Sequence, residues 1–150
     1  MVVLKMKLRP TLKSTLIIVG WAFGIAVFIL KAYFENPLAF TYYYFLNPVY
    51  SGLSMLNLLA ILVISLVAGI LLAKPEPVLI GCAVSLTLAS IIEFVVLSLP
   101  AFPVEGDIVR ELMFFRSISI VFKMMVPTVI VIDVIGGLVG GILGERLGMR

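Results

Sequence analysis

Four stretches of this 150-residue chain are each long enough and apolar enough to cross a lipid bilayer, and that leaves few folds open. A bilayer core is about 30 Å thick, so a spanning helix needs roughly 20 apolar residues. The first stretch runs from Ser14 to Phe34, with no charge between Ser14 and Leu30 and with Lys31 able to reach the interface at its far end. The second runs from Tyr50 to Ala73 and the third from Val78 to Leu99, interrupted only by Glu93. The fourth runs from Ser117 to Gly144 and contains Lys123 and Asp133; Pro127 either kinks it or marks its true start near Val126. In lipid, every backbone polar group must be satisfied within the protein, so spans of this length are helices. The expected fold is an all-α, four-helix transmembrane bundle forming one domain over residues 1–150.

The composition agrees. Hydrophobic residues make up 63% and charged residues 13%, against about 45–50% and about 25% in a soluble domain. The segments between spans are too short to build a core of their own. The first span is not read as a signal peptide, because its apolar run is long and no clear cleavage site follows it.

Lysine and arginine counts set the expected direction. With both termini inside, the inner side holds Lys5, Lys7, Arg9, Lys13, Lys74, Arg146 and Arg150, and the outer side holds Lys31, Arg110 and Arg116. The expected location is the cell membrane, crossed several times, with both termini cytoplasmic. Glu76 and Glu145 reduce the inner excess only partly, and that excess suits anionic lipid headgroups rather than nucleic acid.

The loops are short. Tyr33, Tyr42, Tyr43, Tyr44 and Tyr50 are all the tyrosines of the chain, and they cluster around the first outer loop between Pro37 and Pro48. Rings with a polar edge favour the bilayer interface, so the loop reads as an interfacial aromatic belt or a docking face for a partner. The turn Lys74-Pro75-Glu76-Pro77 is expected to hold the second and third spans as antiparallel neighbours. After Pro103 the pattern becomes amphipathic: Ile108, Leu112 and Phe115 share a face, while Glu105, Arg110 and Glu111 are polar. That predicts a short interfacial helix before the fourth span, either separate from it or continuous with it, with Asp107 as its N-cap.

Small residues recur at four-residue spacing, the pattern by which membrane helices approach closely. Gly20 and Gly24 mark the first span, Ser65, Gly69 and Ala73 the second, and Gly81, Ser85 and Ala89 the third. The fourth carries a double register, Gly136, Gly140 and Gly144 beside Gly137 and Gly141. This implies close contact with another helix, of this chain or of a second copy.

Three ionisable residues lie within spans, where each costs a few kcal/mol and usually has a partner or a function. Glu93 and Lys123 both fall roughly 8–9 Å from the outer ends of their helices, so an ion pair is expected between them. Asp133 lies about 15 Å deeper than Lys123, near the membrane middle, with Ser65, Ser85 and Thr87 as available polar neighbours. Its expected roles are a hydrogen bond across helices, a proton or cation relay, or a bridge to another subunit.

Catalytic chemistry finds little footing. The chain has no histidine and a single cysteine, Cys82. Histidine-ligated metal, haem and Ser-His catalysis are thereby excluded, and no phosphate-binding glycine loop occurs. No cofactor and no enzymatic activity are expected. The expected function is a non-catalytic subunit or assembly partner in a larger membrane complex, alongside lipid and other subunits or copies of itself. The alternative is a homo-oligomeric transporter or channel using Glu93, Lys123 and Asp133.

Overall fold

The computed structural model describes residues 10–35 and 53–148. Five α-helices account for nearly all of them, and no strand occurs among them. They are α1 (Pro10–Glu35), α2 (Met55–Leu72), α3 (Pro75–Ser98), α4 (Asp107–Met124) and α5 (Ile130–Arg146). Four helical stretches are long and apolar enough to cross a membrane: α1, α2, α3 with the short 3-10 turn after it, and the α4–α5 stretch taken together. The aromatic residues Tyr42, Tyr43, Tyr44 and Tyr50, and the basic residues Lys5, Lys7, Arg9 and Arg150, lie outside the described residues.

Local chemistry sets the helix ends. Ser54 caps α2, its hydroxyl accepting from the Asn57 backbone N–H at 3.3 Å. Ala73 closes α2 in the left-handed region (φ 57), its N–H returning to the Gly69 carbonyl at 3.0 Å. Pro75 then opens α3 at a position where no intrahelical N–H is needed. Gly106, at φ 107, holds the cap position of α4 without a side-chain bond, a conformation that favours glycine. Asp107 is therefore not the N-cap that the sequence suggests. It is the first residue of the helix, and its carboxylate takes the Arg110 guanidinium one turn on.

Of the two alternatives for the helix after Pro103, continuity with the start of the fourth span is what the structure has. Helix α4 runs without a break from Asp107 to Met124. The interruption comes at Val126, which leaves helical geometry (φ −103, ψ 133). Pro127 explains it, because proline disfavours the helical region for the residue before it and offers no N–H. Helix lies on both sides, so Pro127 kinks the path rather than starting it. Without a bend, the stretch Asp107–Arg146 would be roughly 60 Å long, about twice the bilayer core.

The spans form a ring in the order α1, α2, α5, α3. The most extensive contact is between α2 and α5, followed by α1 with α3 and α1 with α2. Helix α4 lies against α3. Although only Ala73 and Lys74 separate them, α2 and α3 touch little, and α1 and α5 wedge between them on either side. The expectation of packed neighbours is corrected accordingly: a tight turn fixes where two helices meet, not that they stay together along their length. The interior is filled by Trp21, Ile25, Ile29, Ile61, Val78, Met124 and Val129. Large apolar side chains such as Phe23, Leu56, Ile80 and Phe122 point outward on all sides, as a bilayer solvent allows.

Candidate functional site

Asp133 and Glu93 are both fully buried, and the structure treats them differently. Asp133 sits one turn into α5. Its neighbours Gly136 and Gly140 bring α5 so close to α2 that backbone meets backbone. A methyl group on Gly140 would lie 2.1 Å from the Leu66 carbonyl oxygen, and one on Gly144 would lie 2.4 Å from that of Ile70. Gly136 abuts the Leu62 carbonyl oxygen and the Ser65 Cβ. The other register points elsewhere. Gly137 faces Cys82, Trp21 and Val78, and Gly141 faces Val78 and the Lys74 carbonyl. The paired glycines thus serve two different sides of one helix.

This closeness lets a short carboxyl side chain reach across. Asp133 Oδ1 accepts the Trp21 indole N–H at 2.8 Å. The Ser65 hydroxyl lies against the same oxygen and also against the Ile61 carbonyl at 2.8 Å, with one proton between two acceptors. Trp21 Nε1 lies 3.2 Å from Ser65 Oγ as well. Asp133 Oδ2 has no partner among the described residues. Cys82 is buried, with its sulfur 4.0 Å from the Asp133 backbone carbonyl. Three helices therefore converge on one carboxylate oxygen.

Of the neighbours foreseen for Asp133, only Ser65 is used. Ser85 donates to the Cys82 carbonyl at 3.1 Å, and Thr87 is exposed and donates to Ala83 at 2.8 Å. Trp21 was not foreseen. As the only tryptophan of the chain, set in the middle of an apolar span, it carries a donor that needs a partner when buried, and that was the available signal.

Glu93 lies on the buried face of α3 with Gly81, Ser85 and Ala89. Neither carboxyl oxygen has a hydrogen-bond partner among the described residues, so the expected ion pair with Lys123 is not made. The reason is helical phase. Ser117 Oγ donates to the Leu97 carbonyl at 3.1 Å, and the rings of Phe94 and Phe114 lie 6.4 Å apart, which fixes the register of α3 against α4. The face of α4 turned inward carries Ser117, Ile120, Val121 and Met124. Lys123 is beside that face and only half buried.

The remaining small residues of the first span differ between themselves. Gly24 meets the Ile64 side chain, whereas none of the described residues lies within 4 Å of where a Gly20 side chain would begin. Gly81 faces Trp21, Leu72 and Ile18. Tyr33 is partly buried against the core. Apolar grooves mark the outer surface: one of about 460 Å³ between α3 and the α4–α5 bend, and one of about 350 Å³ between α1 and α2 beside Gly20. Neither is lined by Glu93 or Asp133, although Trp21 forms part of the second. No group of three metal-ligating side chains occurs among the described residues.

No family model matches the chain, and neither a curated protein nor a solved structure is similar to it.

Proposed function

We propose that this chain is a small non-catalytic integral membrane subunit, an assembly or scaffold partner within a larger complex of the cell membrane, with both termini on the cytoplasmic side. The observation that carries this reading is the use made of Asp133. The ionisable group nearest mid-membrane is enclosed by protein and binds Trp21 of α1 and Ser65 of α2. It fastens helices to one another. Among the described residues its contacts are Trp21, Ser65 and the buried thiol of Cys82, none of them a charged group.

The surface supports the same reading. Apolar side chains cover the outside, and neither acidic residue opens onto a surface groove. Such a bundle offers its neighbours shape and apolar area. Lipid and the helices of other subunits, or of further copies, are the partners that this surface suits. Positive residues concentrated at the two ends and in the α2–α3 turn support the orientation.

A homo-oligomeric pathway for protons, ions or small solutes draws less support. It would have to run through Glu93, Lys123 and Asp133, and those three do not form one connected group.

Native mass spectrometry of the particle extracted gently from its own membrane tests the proposal. Other polypeptides at a fixed ratio are the expected result. Only multiples of 16.4 kDa would contradict it and bring the homo-oligomeric reading forward.

A further inference from the structure

Most buried polar groups in folded proteins find a partner, and one that does not calls for an explanation such as a bound ion. Glu93 is that case. Its side chain is 0% exposed and both of its carboxyl oxygens lack a partner among the described residues.

Helix register shows what surrounds it. Gly81 of α3 meets Trp21 and Ile18 of α1, and the two helices cross in the same direction because α2 returns between them. Glu93 lies 12 residues beyond Gly81, and Tyr33 lies 12 beyond Trp21, roughly 18 Å along each axis. Helix α2 runs the opposite way, with Trp21 beside Ser65 and Gly24 beside Ile64. The same level on α2 therefore falls within a turn of Asn57, which is also buried. Glu93, Asn57 and Tyr33 thus fall within about a turn of one another in height, away from the Trp21–Ser65–Asp133 cluster. The ionisable groups around this level are few. Helix α1 brings Tyr33 and the exposed Lys31–Glu35 pair, α2 brings none, and α4 brings half-buried Lys123 and exposed Arg116. Asp133 of α5 is roughly 18 Å away.

We propose that Glu93 is a reversible binding site for a small positive species, a proton or an alkali cation, with Asn57 within a turn of its level in the bundle. Two fully buried acceptor oxygens without a hydrogen-bond donor among the described residues suit a ligand that neutralises charge and occupies little space. An intramembrane carboxyl without a partner is by default a candidate functional site. Ion binding there is compatible with a subunit role and does not involve Asp133.

Dicyclohexylcarbodiimide, an apolar reagent that adds to carboxyl groups within membranes, is the probe. The full chain in lipid nanodiscs is treated with it over a range of pH, in sodium chloride or in choline chloride, and the adduct is located by fragment mass spectrometry. The expected result is an adduct on Glu93, absent in Glu93→Gln, whose rate responds to pH or to sodium. A response to pH alone identifies the proton, and protection by sodium identifies the alkali cation. Mapping on the unaltered chain keeps the test valid should Glu93→Gln fail to fold. No adduct at Glu93, or an adduct whose rate ignores both pH and sodium, would overturn the proposal.

Discussion

The Trp21 indole N–H and the Asp133 carboxyl oxygen Oδ1 lie 2.8 Å apart across 112 positions of sequence, joining helices α1 and α5, which otherwise hardly approach each other. Ser65 of α2 completes the junction. A hydrogen bond between membrane helices is worth about 0.6 kcal/mol on average and up to about 1.7. Trp21→Phe keeps most of the ring and removes the donor, so it should cost about 1 kcal/mol. Far-ultraviolet circular dichroism during unfolding in mixed micelles measures this, since the variant has no tryptophan left to report. An unchanged midpoint would mean that the bond contributes nothing.

Asp133→Asn and Asp133→Leu separate acceptor from shape. Asparagine retains an oxygen for Trp21 and Ser65 and should lose less than about 1 kcal/mol. Leucine leaves the indole N–H and the hydroxyl without their acceptor and should lose about 2 kcal/mol or more. Equal losses would place the effect in packing alone.

Two glycines 120 positions apart, Gly20 and Gly140, make a matched pair. Gly140→Ala drives a methyl to 2.1 Å from the Leu66 carbonyl oxygen, so α2 and α5 must separate. The expected cost is about 1–3 kcal/mol or more, as for other overpacked interiors. Gly20→Ala meets none of the described residues within 4 Å and gains helix propensity worth up to about 1 kcal/mol. It should be neutral or stabilising. The same unfolding assay checks both, and a destabilised Gly20→Ala would show that this position is covered by something other than the described residues.

Cys82 reports on the interior. Its thiol is buried, and a methyl on Gly137 would stand 2.9 Å from the sulfur. Maleimide should modify it slowly in the folded protein, quickly in sodium dodecyl sulfate, and faster in Gly137→Ala than in the parent. Rapid labelling of the folded parent chain would contradict the packing described.

Much of the architecture was legible because a bilayer constrains sequence strongly. Apolar runs of about 20 residues reveal spanning helices without any knowledge of their partners. Which helices pack together was less legible, since the two-residue turn at Ala73 and Lys74 suggests that α2 and α3 pair, whereas α2 presses against α5 through Gly136, Gly140 and Gly144. Depth along a helix is readable from residue number, but facing direction depends on 100° steps, and one residue separates buried Met124 from half-buried Lys123. That step is why Glu93 and Lys123 do not pair. Trp21 does not stand out in the sequence because an indole counts as apolar in a hydropathy profile, while its N–H behaves as a polar group once buried.

The central claim is that Asp133 fastens the bundle through Trp21, and a double-mutant cycle tests it most directly. Unfolding free energies of the parent chain, Trp21→Phe, Asp133→Ala and the double variant yield the coupling between the two side chains. The structure predicts a coupling of about 1 kcal/mol. Additivity of the two single losses within about 0.3 kcal/mol would contradict it.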